Sequence, residues 1–190
     1  RQESSRHSKL IAEFIKRKLK QNYYKWSEKK KINFLVNQIK KKRNLFSNFK
    51  FKNKENNEVW STFKTVSKQP DECLGAYVIS MTSSISDIIT VSFLQKEAKI
   101  ENKLRVVPLF ETLDDLINSK TIMQSLFKEK WYRKLINSTQ EVMIGYSDSS
   151  KDAGKICANW HQYKAQEDIV KLANKYKIDV TFFHGRGGSA

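Results

Sequence analysis

Apolar residues in the first part of the chain recur every three or four positions, whereas those of the second part come in short unbroken runs. From Ser8, the set Ile11, Phe14, Ile15 and Leu19 falls on one face of a helix, with Ser8 as its expected N-cap. After Trp26 the spacing predicts a second amphipathic helix capped by Ser27, with Ile32, Leu35, Val36 and Ile39 as its stripe and lysines on either side. Residues 47–58, SNFKFKNKENNE, have no helical period and read as an exposed polar loop. The loop marks an expected junction. Residues 1–70 read as a basic helical segment and residues 71–190 as a series of βα units.

Four runs beyond Asp71 have strand length, end in small or polar residues and lead toward helical stretches. They are LGAYVISM (74–81), LRVVPLFE (104–111), EVMIGYSD (141–148) and IDVTFFHGRGGSA (178–190). The first precedes a helix expected to be capped by Ser86, with Ile88, Ile89, Val91 and Leu94 buried. The second precedes one capped by Thr112, where Asp114 and Asp115 suit the positive end of the helix dipole. One long helix is expected over about residues 151–175. Nearly continuous apolar strands alternating with helices imply a predominantly helical α/β fold with a parallel sheet, either a barrel or a doubly wound sheet. In both, chemistry gathers at the carboxyl ends of the strands. Those ends carry Ser80 and Ser83, then Glu111, then Asp148 and Lys151, then His184 and Arg186.

With 190 residues, 39% of them hydrophobic, the chain can form one or two domains. It contains no run of eighteen apolar residues, and its opening, RQESSRHSKL, lacks the apolar stretch of a secretory signal, so a cytoplasmic protein without a membrane partner is expected. A formal charge of +16 points toward nucleic acid, but sixteen Lys or Arg against two acids lie within residues 9–54. There they surround apolar stripes, as solvated helix faces do. A basic helical module that binds nucleic acid is the alternative reading; the favoured one expects no nucleic-acid partner. Trp26, Trp60, Trp131 and Trp160 lack a stacking period and read as packing residues. Cys73 and Cys157, outside any CxxC pair, read as buried thiols, and His161 as a surface residue.

Glu111 and Asp148 each end an apolar strand, and a parallel arrangement can bring them to one mouth. Two carboxylates without a nearby thiol suit a hard divalent cation, Mg2+ or Mn2+; taken singly, each also reads as a helix-start acid. The segment His184-Gly185-Arg186-Gly187-Gly188 follows a strand, and its glycines let backbone amides and a guanidinium approach an anion closely. Arginine recognises phosphate or carboxylate with paired donors, and a histidine exchanges protons near neutral pH. Phosphate or carboxylate chemistry follows. A loose G-x-G-x-x-A match lacks the helix and ribose-binding acid of a dinucleotide site, and the Gly-Lys-Ser/Thr ending of a P-loop is absent.

The strings RQESSRH (1–7), WSEKKKINFL (26–35), GAYVISM (75–81), RVVPLFETLDDL (105–116), VMIGYSDSSKDAG (142–154) and FHGRGGS (183–189) resemble phosphoenolpyruvate carboxylases, in that order and at similar spacing. The resemblance runs essentially end to end. It implies part of a TIM-type (β/α)8 barrel within a large cytoplasmic homotetramer that depends on Mg2+ or Mn2+. The implied reaction joins bicarbonate to phosphoenolpyruvate through carboxyphosphate and the enolate of pyruvate, giving oxaloacetate and phosphate. By motif, the resemblance implies Glu111 and Asp148 as metal ligands, His184, Arg186 and Lys151 as catalytic residues, and Arg1 with Arg186 at the substrate. Arg6 and His7 are expected to serve structure. Every reacting species is anionic, which suits a cation, the basic side chains and a proton relay at His184. Ser150 stands where the family pattern has Gly or Ala, with Lys151 still in register. The resemblance also implies an internal stretch of the enzyme, with another catalytic histidine before Arg1 and a second arginine loop after Ala190. Alone, such a stretch is not expected to turn over; an inactive remnant is the remaining alternative.

Overall fold

A short strand, β1 (Gln2–Glu3), leads directly into α1 (Ser4–Phe14), which starts upstream of the expected Ser8 cap. The computed structural model describes residues 2–185, with backbone alone for residues 71, 147, 152 and 153. The sequence assignments to Arg1 and Arg186 therefore lie outside the described residues. The buried face of α1 consists of Ser4, His7, Leu10, Ile11 and Phe14, so the helical period begins with two polar residues that apolar spacing alone does not reveal. A π-helical turn, Ile15–Leu19, ends at Lys20 in the left-handed region (φ 57°). Its wider pitch carries Leu19 off the stripe, leaving that side chain 43% exposed.

Helix α2 (Glu28–Lys40) begins as the sequence predicts, with the Ser27 hydroxyl accepting from the Lys30 N–H. The expected loop over residues 47–58 is corrected. Phe49 and Phe51 are buried, and α3 (Lys54–Val66) already starts inside it, capped by the Asn53 side chain. Phe46 sits at the centre of this packing, its ring 4.9 Å from Phe14, 5.3 Å from Phe51, 5.3 Å from Trp60 and 5.5 Å from Phe93. Lysines between these aromatics hide their pattern. Helix α4 (Ile85–Glu97) is buried on nearly every side. Ser86 lies inside its first turn rather than before it, and the carboxylate of Glu28 accepts from the Ser86 N–H at 2.7 Å and hydroxyl at 3.0 Å. Ser86 is thus a donor to a carboxylate from another helix, which meets one of the free N–H groups of the first turn of α4.

The remaining elements are β2 (Ala76–Ser80), β3 (Arg105–Phe110), α5 (Leu113–Lys128), α6 (Lys130–Leu135), β4 (Thr139–Gly145), α7 (Ser147–Ala153), α8 (Lys155–Tyr176) and β5 (Asp179–Gly185). Strand order follows the chain, β1-β2-β3-β4-β5, and β3 pairs with β4, and β4 with β5, in parallel. The fold is thus α/β and mostly helical, as the alternation of patterns predicts. No helix among the described residues is long and apolar enough to cross a membrane. Packing divides the described residues into two compact units, one of Gln2–Tyr77 with Ser86–Val106, the other of Val78–Ile85 with residues 107–185. This division and the sequence division at residue 70 differ over residues 71–77 and 86–106.

In the second unit, α5 opens with a full capping box, Thr112 accepting from the Asp115 N–H while the Asp115 carboxylate accepts from the Thr112 N–H. The long helix expected over about residues 151–175 is α8, which starts at Lys155, and residues 151–153 instead end α7. Gly154, at φ +76°, breaks the chain between α7 and α8, a conformation that favours glycine. Cys157 is exposed near the start of α8 and Cys73 is exposed before β2, correcting the reading of both as buried thiols. Their apolar neighbours misled: Ile156 and Trp160 are themselves exposed, at 89% and 61%, so Trp160 is not a packing residue here either.

His7 serves structure, as expected. It is fully buried in the first unit, its Nε2 within 2.9 Å of the Tyr77 hydroxyl and 3.2 Å of Gln2 Oε1. Burial, helped by the neighbouring Arg6 charge, lowers its pKa from 6.5 to about 4. The folded state therefore refuses a proton that the unfolded chain accepts below about pH 6.5. Stability from this residue is complete above that pH and is lost progressively as pH falls toward 4, by about 3 kcal/mol in all. Urea melts at a series of pH values should show this loss, and His7→Asn should flatten that part of the profile. An unchanged slope in the variant would remove His7 as the cause.

Candidate active site

Parallel register sets the geometry at the carboxyl ends of β3, β4 and β5. Phe110 pairs with Ile144, Ile144 with His184, and Gly145 with Gly185, which brings the last residues of three strands into one row. Glu111 follows β3, largely buried, and its main chain is held from two sides. Its N–H donates to the Asp115 carboxylate at 3.3 Å, and its carbonyl accepts from the Ser149 N–H at 2.8 Å. The second bond ties the end of β3 to the first turn of α7, which carries Asp148. A Cβ at Gly145 would lie 2.5 Å from Glu111 Cβ and 2.9 Å from Glu111 Cα. Glycine is required there because the two strand ends touch.

The start of α7 is anchored from α8. Buried Gln162 donates through Nε2 to the Gly145 carbonyl and to Ser149 Oγ, each at 3.1 Å. Lys151 Nζ donates to Asp148 Oδ1 at 3.2 Å, an exposed pair that adds little to stability and leaves a cation beside a carboxylate at the strand ends. His184 is exposed, and its Nδ1 lies 2.7 Å from the Tyr146 hydroxyl. Because side chains alternate along a strand, His184 shares the side of its partner Ile144, whereas Gly145 and the Glu111 it abuts take the other. The structure thus joins Glu111 to the Asp148 segment, and His184 to Tyr146, all at one end of the sheet.

A family model described as Phosphoenolpyruvate carboxylase matches residues 1–190. The chain belongs to the phosphoenolpyruvate carboxylase family. It is 47% identical over 190 residues to phosphoenolpyruvate carboxylase 3 of Arabidopsis thaliana. It is 48% identical over 189 residues to the phosphoenolpyruvate carboxylase of Actinobacillus pleuropneumoniae, and 45% over 196 to that of Acinetobacter baumannii. All of this chain is covered in each case, but only 20% of the first protein and 22% of the other two, so it spans about a fifth of the length of these relatives.

The family motifs mark Glu111, Asp148, Lys151 and His184, but not the groups that hold them. Tyr146 sits inside the GYSD string, and its bond to His184 becomes visible only once Ile144 is known to pair with that histidine. Gln162 looks like one of several polar residues on a long helix. Only the break at Gly154 directs α8 back so that this amide reaches the end of β4.

Proposed function

We propose that this chain is an internal stretch of the catalytic region of a phosphoenolpyruvate carboxylase, which forms oxaloacetate and phosphate from phosphoenolpyruvate and bicarbonate. What supports this most is the gathering of Glu111, the Tyr146 to Lys151 segment and His184 at neighbouring parallel strand ends, in a chain matching the family from end to end. In the same reading the sheet is an arc of a (β/α)8 barrel, and the whole enzyme is a cytoplasmic homotetramer.

Glu111 and Asp148 would hold Mg2+ or Mn2+. The donor chemistry fits: both are carboxylates, and the bond from Ser149 to Glu111 keeps their segments adjacent. Two carboxylates leave most of the shell to substrate oxygens and water, as Mg2+ prefers. When bound, the cation supplies charge stabilisation at the enolate oxygen. Lys151 and Arg186 offset phosphate and carboxylate charge, Arg1 meets the substrate phosphate, and His184 takes and returns a proton as carboxyphosphate breaks down.

The test is the full-length enzyme supplied with phosphoenolpyruvate, bicarbonate and either metal, with oxaloacetate measured directly. A folded protein that makes none would sink the assignment. Glu111→Gln removes one negative donor at constant size, so the metal concentration for half-maximal activity should rise on the order of tenfold or more. An unchanged metal titration would take Glu111 out of the metal site.

A further inference from the structure

We propose that Tyr146 is the positioning residue of His184, its hydroxyl holding Nδ1 so that proton exchange with substrate runs through Nε2. This role rests on the reading of His184 as the proton-handling group and adds what fixes that ring. The hydroxyl is 2.7 Å from Nδ1, with the two rings 5.8 Å apart and inclined at 56°. Sheet register brings the two together, since His184 pairs with Ile144 and Tyr146 stands two positions later, just past the end of β4. Tyr146 is itself mounted firmly at the start of α7. Its carbonyl accepts from the Ser150 hydroxyl at 2.8 Å, the Ser150 N–H at 3.3 Å and the Ser149 hydroxyl at 3.3 Å.

An exposed imidazole without an anchor samples several rotamers and offers either nitrogen to a ligand. With Nδ1 occupied, one nitrogen remains. For Nε2 to accept a proton, the neutral ring must carry its own proton on Nδ1, and that N–H then donates to the Tyr146 oxygen. The imidazolium formed at Nε2 keeps the same bond, so nothing at Nδ1 moves while Nε2 is loaded and unloaded. In the step itself, the carboxyl O–H of carboxyphosphate gives its proton to Nε2, and the O–H electron pair becomes the second C=O bond of carbon dioxide. The C–O bond to phosphorus-bound oxygen breaks with its pair on that oxygen, which then takes the proton from Nε2.

Tyr146→Phe in the full-length enzyme keeps the ring and removes only the hydroxyl. It should melt with the wild type and keep its KM for phosphoenolpyruvate, while kcat for oxaloacetate falls about fivefold to tenfold and the pyruvate share of product rises. His184→Asn is run beside it. Uncoupled products from His184→Asn with a wild-type ratio from Tyr146→Phe would overturn the role of Tyr146 and leave that of His184 standing. A wild-type ratio from His184→Asn would overturn both. Should the phenylalanine variant not fold, a neutron structure of the wild-type full-length enzyme at about pH 8, above the ordinary histidine range, still decides. The expected result is a proton on Nδ1 directed at the Tyr146 oxygen; a neutral ring protonated only on Nε2 overturns the proposal.

Discussion

Gly145→Ala in the full-length enzyme is expected to lower oxaloacetate formation by about two orders of magnitude and stability by about 1–3 kcal/mol. The added methyl would meet Glu111 at Cβ (2.5 Å) and at Cα (2.9 Å), and the second of these is backbone. Backbone cannot rotate aside. Relief therefore requires the ends of β3 and β4 to separate, and with them the bond from Ser149 to the Glu111 carbonyl and the bond from Gln162 to the Gly145 carbonyl. Glu111 and the Asp148 segment would move apart, which the proposed sharing of one cation would not tolerate. Gly185→Ala is the control for stability. Its methyl would meet Met143 Cε at 2.6 Å, the end of a flexible side chain, and the Ile144 carbonyl only at an ordinary 3.6 Å. Urea melts should place the second variant within about 1 kcal/mol of wild type. Full carboxylation by Gly145→Ala would show that the approach of the two strand ends is not needed for the site.

The strand ends were legible because both signals there are local: an unbroken apolar run and the polar residue that stops it. Thr112 and Ser27 were legible for the same reason, since a cap satisfies donors two or three residues away. The start of α1 was not, because its first buried turn uses Ser4 and His7, and His7 finds its buried partner in Tyr77, seventy residues on, beside Gln2. The break at Gly154 was hidden because helical stretches lie on both sides of it, and the positive φ that produces it belongs to the backbone. Burial of Phe49 and Phe51 was masked by lysines whose charged ends reach water while the chain beside them packs. At the site, identities could be read and partners could not. Glu111, Asp148, Lys151 and His184 are marked by position, whereas Tyr146 and Gln162 act across a strand pair and a helix–strand contact that only register discloses.

His184→Asn in the full-length enzyme separates the chemical steps. Asparagine remains polar and can hydrogen-bond, but it does not take a proton near neutral pH, and His184 is exposed, so packing should suffer little. In the proposed reaction the first step, attack of bicarbonate on phosphorus, would use charge stabilisation from other residues. Consumption of phosphoenolpyruvate should therefore persist and should still require bicarbonate and metal. The second step needs the proton on the carboxyl group of carboxyphosphate to leave as carbon dioxide forms. Without a base at His184, the enolate is protonated before carbon dioxide can be captured. Oxaloacetate should fall by about 10²- to 10⁴-fold, with pyruvate and phosphate as the main products. Separate assays of oxaloacetate and pyruvate, with a melting curve, distinguish the alternatives. Loss of phosphoenolpyruvate consumption at unchanged stability would move His184 to the phosphoryl-transfer step. Lower stability with a normal product ratio would make it a structural residue, and the bond from Tyr146 would then serve only to hold the end of β5 against the start of α7.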